Sequence, residues 1–364
     1  MSARLEVRGL LVRYPGHTAL QVEHLAVEAG ETLAIIGPNG SGKSTLLRVL
    51  ALLQRPARGE LSALGRPVRW RTGALLPIRR RMAAVFQAPL LTSASVADNV
   101  ALGLRFRHVP SAESRRRVEE WLDRFGIRHL ARRQAGTLSG GEAQRTSLAR
   151  AFAVGPDVLF LDEPFAALDP PTREALLLDL EAVLREARIT TVFVTHDRNE
   201  AMTLATRVAV MIGGRLIQVD TPRRVFHAPA SLEVARFVGI QNTLAGAGEG
   251  GAVRIGGATL RTAAPAVPAG ALVVCIRAER VTLSRASAHY MGPDDNVMLG
   301  TVTRIVPLAG HVEIHLDVGF PLRAAVPETA MPPLRLAPGS EVRASIPAWA
   351  VHVIGGGRAD SRCS

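Results

Sequence analysis

The chain has 364 residues, 47% of them apolar and 21% charged, so a packed protein with more than one core is expected and a largely disordered chain is excluded. No apolar run approaches the roughly 20 residues that span a bilayer, and Arg4, Glu6 and Arg8 interrupt the segment where a secretory leader needs its apolar core, so a cytoplasmic chain is expected. The net charge of +12 admits a nucleic-acid partner, an anionic lipid surface or plain compositional bias, but an aromatic content of 4% and arginines scattered over both halves speak against a stacking single-strand binder.

In chain order, the first unbroken apolar run is Leu33 to Ile36, the pattern of a strand buried on both faces in a parallel sheet. It ends at Gly37-Pro38-Asn39-Gly40-Ser41-Gly42-Lys43-Ser44, and a helical run, Thr45 to Leu53, follows. Glycines there let backbone N–H groups fold around phosphates, the helix N-terminus adds partial positive charge, Lys43 reaches the β and γ phosphates, and Ser44 can ligand Mg2+. Of 44 basic residues Lys43 is the only lysine. A sequence otherwise committed to arginine keeps lysine where arginine does not serve.

Ser95 to Ala153 is charged, lacks strand runs and reads as mostly helical, an inserted subdomain at about 90–153. Within it, Leu138 to Gln144 reads L-S-G-G-E-A-Q. One reading is a capping box, Ser139 with Glu142, opening a helix with Leu148, Ala149 and Phe152 on its apolar face. Yet Gly140-Gly141 is unfavourable in a first helical turn and suits a backbone that a phosphate approaches, a second anion cradle in a chain with one phosphate loop.

The run Val158 to Leu161 ends at Asp162-Glu163. Alone, such a pair is more often a solvated turn. Delivered by a buried strand and accompanied by a phosphate loop, Asp162 is expected to hold the Mg2+ shell and Glu163 to polarise the attacking water. Asp169 precedes Pro170 and Pro171, tolerable only in a first turn, so it caps a helix whose buried face is Leu176, Leu180, Val183 and Leu184. The third run, Val192 to Val194, leads to His196. Ligands of open α/β sheets collect beyond the carboxyl ends of strands, where Gly37, Asp162 and His196 could converge. Gly213-Gly214 signals a two-residue hairpin, and short helices follow to about Val238.

Near Asn242 glycine and proline become frequent and period-two patterns begin. Val312, Ile314 and Leu316 alternate with polar neighbours, as do Val342, Ala344 and Ile346, which indicates a small antiparallel barrel or sandwich. Cys275 and Cys363 are far apart and suggest neither a disulfide nor a metal site.

These segments resemble the ATP-binding-cassette (ABC) family. Leu138 to Gln144 looks like its signature, Gly37 to Ser44 like Walker A, and Val158 to Pro164 like Walker B. Gln87 in V-F-Q-A-P-L-L resembles the Q-loop, Ala167-Leu168-Asp169 the D-loop, and His196 in V-T-H-D the switch histidine. Tyr14, one of two tyrosines, resembles the aromatic that stacks on adenine. The elements stand in the family's order over Leu5 to Val238. The resemblance implies an α/β P-loop NTPase of the ABC type over 1–240, ATP and Mg2+ as cofactors, and ATP hydrolysis as the activity. It also implies a homodimer in which ATP lies between Walker A of one subunit and the signature of the other. Ser139, Gly140 and Gly141 would then meet the γ-phosphate across the dimer, near Asp169. His196 would stand beside Glu163, and Gln87 would join Ser44 and Asp162 at the metal and couple it to the helical subdomain. Glu142 departs from the glutamine frequent in importers, a common variant that leaves this expectation intact.

Gly300 to Ile354 resembles the C-terminal β-barrel of importer ATPases, most closely the Mop type of molybdate and tungstate systems, and a barrel over 241–355 with a loose tail over 356–364 is expected. In that type an Asn within a Ser-Ala-Arg-Asn run and a lysine before the last strand serve an oxyanion. Here Asn296 and Gly300 keep their places, Asp294 and Asp295 precede them, and Pro347 replaces the lysine, so no oxyanion site is expected unless Arg304, Arg323 or Arg343 rebuilds one. The implied role is the motor of an oxyanion importer at the cytoplasmic face of the cell membrane, working with permease subunits and, indirectly, a solute-binding protein. Sulfate, ferric iron, polyamine or sugar cargo remains open, as does a non-transport ABC ATPase; no nucleic-acid partner is expected.

Overall fold

In the computed structural model, which describes residues 3–264, 266–286 and 295–355, the chain folds as two units, Met1–Val225 and Phe226–Ser364. Asp294 and the tail expected over 356–364 lie outside the described residues, as does the side chain of Asp295.

The first unit is built on ten strands. They are β1 (Ala3–Tyr14), β2 (His17–Glu28), β3 (Thr32–Ile36), β4 (Arg58–Ala63), β5 (Arg66–Pro67), β6 (Met82–Val85), β7 (Val158–Asp162), β8 (Thr190–Val194), β9 (Arg207–Ile212) and β10 (Arg215–Asp220). They form one sheet in the order β5-β4-β1-β2-β10-β9-β3-β8-β7-β6. The three apolar runs are neighbours in it: β3, β8 and β7 run parallel, and every residue of each is buried, as unbroken hydrophobicity requires. The sheet is nevertheless mixed. β1, β2, β4 and β5 pair antiparallel, and so do β9 and β10, with Ile212 opposite Arg215 across the Gly213-Gly214 turn. The period-two pattern of β1 is masked because Gly9, at φ +56°, introduces an irregularity: Leu5 and Val7 are buried before it, Leu10 and Val12 after it.

The helices of this unit that bear on the site are α1 (Lys43–Leu50), α2 (Thr72–Arg79), α3 (Val96–Arg105), α4 (Ser111–Arg124), α5 (Gly140–Ala153), α6 (Pro170–Ala187) and α7 (Arg198–Leu204). α3, α4 and α5 fill the segment expected to be helical. Trp121 of α4 and Phe125, which caps its C-terminus, pack on Phe152 of α5, with ring centroids 4.9 and 5.6 Å away, which anchors the C-terminal half of α5. α1 ends at Leu50 rather than Leu53, because Leu52 turns to φ +60° and the N–H groups of Leu53 and Gln54 fold back onto Arg48 O.

The second unit contains β11 (Asn242–Glu249), β12 (Ala252–Ile255), β13 (Ala258–Arg261), β14 (Gly270–Ile276), β15 (Thr282–Arg285), β16 (Asp295–Leu308), β17 (His311–Asp317), β18 (Pro321–Pro327), β19 (Glu341–Pro347) and β20 (His352–Gly355). Two five-stranded sheets, β13-β12-β11-β14-β20 and β15-β19-β16-β17-β18, enclose one apolar core. The alternation at Val312, Ile314 and Leu316 points those residues into it. Topology exposes an internal repeat. Strands β11 to β14 and β16 to β19 follow the same course, a short 3-10 turn follows each, and then β15 or β20 crosses to the other sheet. Asn242 with Gly246 matches Asn296 with Gly300, and Ile276-x-Ala278-x-x-Val281 matches Ile346-x-Ala348-x-x-Val351. Both asparagines are buried and do the same thing. Asn242 accepts from Arg323 N (2.7 Å) and donates to Arg323 O (2.9 Å) and Ile276 O (3.2 Å); Asn296 accepts from Arg261 N (2.6 Å) and donates to Arg261 O (3.0 Å) and Ile346 O (3.1 Å). Each amide thus staples its own sheet to the other.

Candidate functional site

The loop Gly37 to Gly42 connects the buried end of β3 to the N-terminus of α1. Its path needs glycine at two points. A Cβ on Gly37 would lie on the Met211 carbonyl, and one on Gly42, at φ +94°, would lie 2.8 Å from Ala19 O. Lys43 is buried, and its ammonium donates to Gly37 O at 2.9 Å and Pro38 O at 3.0 Å. Burial pulls its pKa below the ordinary lysine value, while Glu163 and then Asp162 oppose that shift. A cleft of about 630 Å³ opens beside the loop and is bordered by Tyr14, Asn39, Gly40, Thr45 and Glu163 as well as Lys43. Tyr14 is partly exposed at its rim, 5.7 Å from the His17 ring and hydrogen-bonded to Gln54.

The carboxyl ends of β7 and β8 close the other side. Ser44 Oγ donates to Asp162 Oδ1 at 3.1 Å. Burial raises the pKa of the Asp162 carboxyl, against the Ser44 hydrogen bond. Burial therefore destabilises one cation, Lys43, and one anion, Asp162, and oppositely charged guests would relieve both. Glu163 takes the left-handed conformation, φ +47°, which costs a side-chain-bearing residue on the order of 1–2 kcal/mol. Its N–H donates to Val194 O at 3.0 Å, so the end of β8 holds the turn. His196 is exposed, with Nδ1 3.3 Å from Glu163 Oε2. A triphosphate with a divalent ion fits these residues: Ser41 Oγ is buried without a hydrogen-bond partner inside the loop, and a hydroxyl–carboxylate pair stands ready for a hard cation.

Ser139, Gly140, Gly141 and Asp169 line a different cleft of about 580 Å³. The capping box is formed: Ser139 N donates to Glu142 Oε2 (2.7 Å), and Glu142 N donates to Ser139 Oγ (3.3 Å). Asp169 Oδ1 accepts from Thr172 N at 3.1 Å and caps α6, whose buried face includes Leu176, Leu180, Val183 and Leu184. Gly141 has a packing role too, since a Cβ would lie 2.6 Å from Thr172 Cγ2. Within one chain the two clefts share no lining residue. Gln87 is exposed on the loop after β6, with no hydrogen bond to Ser44 or Asp162 among the described residues.

Other residues entered the site unannounced. Gly213 and Gly214 line the first cleft as well as turning a hairpin, because β9 lies next to β3 in the sheet. Arg150 on α5 donates to Pro89 O (2.7 Å) and Leu90 O (2.8 Å), tying the loop after Gln87 to the helix that begins at Gly140. In the second unit, Asn296 spends its whole amide on backbone groups, and Arg343 donates to Ala286 O.

Residues 20–166 match the ABC transporter family and residues 293–353 the TOBE domain. The molybdate/tungstate import ATP-binding protein WtpC of Pyrococcus horikoshii is 38% identical over 329 residues, 90% of this chain and 93% of the relative. The sulfate/thiosulfate import ATP-binding protein CysA 2 of Chromobacterium violaceum is 37% identical, over 96% of this chain and 94% of its own. Among solved structures, a dimeric ATP-binding cassette in a post-hydrolysis state with bound ADP and Pi has 30% identity and a TM-score of 0.56, covering 60% of this chain and 99% of its own.

Proposed function

The chain belongs to the ATP-binding subunits of ABC importers and is an ATPase, and from that premise we propose that it powers uptake of molybdate or tungstate as a homodimer beneath membrane-embedded permease subunits. The observation that carries the dimer is the separation of the two cradles. The phosphate loop and the L-S-G-G-E segment open into different clefts of one chain, and in this reading the second serves a nucleotide held by the phosphate loop of another copy. The dimeric cassette among its structural relatives supports that arrangement.

In this reading Tyr14 stacks on adenine, loop N–H groups and Lys43 hold the phosphates, and Ser44, Asp162 and Gln87 would hold Mg2+. The ion would neutralise phosphate charge. Lys43 leaves the Gly37 and Pro38 carbonyls to reach the phosphates. Glu163 orients the attacking water and accepts its proton, and His196, 3.3 Å from Glu163, reaches the γ-phosphate side. Ser139 and the backbone of Gly140 and Gly141 complete the site from the partner subunit. No helix of the described residues is long and apolar enough to cross a membrane. In this reading the membrane step belongs to permease subunits at whose cytoplasmic face the chain docks.

Cargo is selected by those partners and not by the C-terminal sheets. The one amide in the expected oxyanion position is consumed as a staple, and Pro347 offers neither charge nor N–H. Isothermal titration of the purified chain with molybdate, tungstate and sulfate is expected to give no saturable binding; micromolar binding lost on removing residues 242–364 would place a sensor there. The cargo itself is tested by deleting the coding sequence in its host. Loss of molybdate and tungstate accumulation with sulfate uptake preserved is expected, and the reverse pattern would assign the motor to sulfate.

A further inference from the structure

Behind His196 lies a side chain that the nucleotide reading leaves unused. Glu200, on α7, is buried with only 5% of its surface accessible, and buried carboxyls persist where a specific partner holds them. That partner is Thr195. Its hydroxyl donates to Glu200 Oε2 at 2.5 Å and accepts from Asp197 N at 2.9 Å. Asp197 Oδ1 in turn accepts from Asn199 N (2.6 Å) and Glu200 N (3.2 Å), closing the first turn of α7. On the strand side, Thr195 N donates to Ile35 O at 3.2 Å, so Thr195 is fixed to β3, immediately before the phosphate loop. The residue between Thr195 and Asp197 is His196, itself 60% exposed at its side chain, whose Nδ1 lies 3.3 Å from Glu163 Oε2.

We infer that Glu200 is a positioning residue for hydrolysis: through the Thr195 hydroxyl it fixes the turn 195–197 and so sets where the His196 ring stands relative to Glu163. The inference rests on His196 acting at the γ-phosphate. A histidine presented by a solvent-facing turn is useful only if that turn is rigid, since displacement of a reacting group by about 1 Å can cost on the order of 100-fold in rate. Burial also raises the pKa of the Glu200 carboxyl, against its bond to Thr195, with Asp197 adding to the rise and Arg173 and His196 opposing it. A neutral amide can therefore take its place, because Gln at 200 still presents an oxygen to the Thr195 hydroxyl.

The test compares steady-state ATP hydrolysis by full-length variants. Glu200→Ala is expected to lower kcat about 10- to 100-fold with KM for ATP changed by less than about twofold, and Glu200→Gln to recover most of the loss. In a His196→Ala background, Glu200→Ala should add less than about a twofold loss, because the residue it positions is already gone. Full turnover by Glu200→Ala, or losses that multiply in the double variant, would overturn the inference while leaving the role of His196 intact. Undiminished turnover by His196→Ala alone would overturn both. If Glu200→Ala does not fold, Thr195→Val removes the same bridge at similar volume, and the same loss and the same non-additivity are expected.

Discussion

Glu163→Gln is expected to bind ATP as the parent chain does and to lose about 10²- to 10⁴-fold in turnover, the range over which a positioned general base contributes. The substitution keeps the shape and hydrogen-bonding length of the side chain and removes only its capacity to accept a proton. It also preserves the backbone that makes position 163 unusual, since the left-handed turn there is held by the bond from residue 163 N–H to Val194 O rather than by the side chain. The nucleotide-bound dimer should then persist, visible in gel filtration with ATP and absent with ADP. Near-normal hydrolysis would remove Glu163 from the reaction.

Ser139→Asp is expected to abolish turnover by a different route. Aspartate is as good a helix N-cap as serine, so the start of α5 and its bond from Glu142 N survive. What changes is charge. A carboxylate about 4 Å from one phosphate charge costs on the order of 4 kcal/mol at an effective dielectric near 20, close to three decades in any step that requires closure. ATP binding to the isolated chain should be unaffected, because the phosphate loop and Lys43 lie in the other cleft. Parent-like turnover by the variant, or loss of ATP binding, would contradict the assignment of Ser139. Gly141→Asp is a less clean probe, since its Cβ would collide with Thr172 before charge mattered.

The centre of the fold was legible because its physics is local. Leu33 to Ile36, Val158 to Leu161 and Val192 to Val194 are buried on both faces and say so by continuous hydrophobicity; Asp169 before two prolines marks its own helix start. Of the antiparallel strands only the β9–β10 hairpin is legible in the sequence, at Gly213-Gly214; β1, β2, β4 and β5 are not, because the alternation of β1 breaks at Gly9 and because strand order depends on long-range pairing. The same limit hid Gly213 and Gly214 as cleft residues: only the adjacency of β9 and β3 carries them there. The repeat in the second unit was available as Asn-x-x-x-Gly at 242 and 296, yet its meaning, two reciprocal staples, needs the sheets in place. Nothing in the spacing of Glu200 announces that it faces inward to Thr195.

The split site predicts a result that neither cradle predicts alone. A Lys43→Ala chain lacks the phosphate-loop cation, and a Ser139→Asp chain has a blocked second cradle, so homodimers of either should be inactive. Mixed, they form a dimer in which one nucleotide meets the intact phosphate loop of the Ser139→Asp chain and the intact second cradle of the Lys43→Ala chain. With differently tagged chains purified through both tags, so that every dimer measured is mixed, ATP turnover well above that of either variant alone is the expected result. Mixed dimers no more active than their two parents would contradict a nucleotide site shared between subunits.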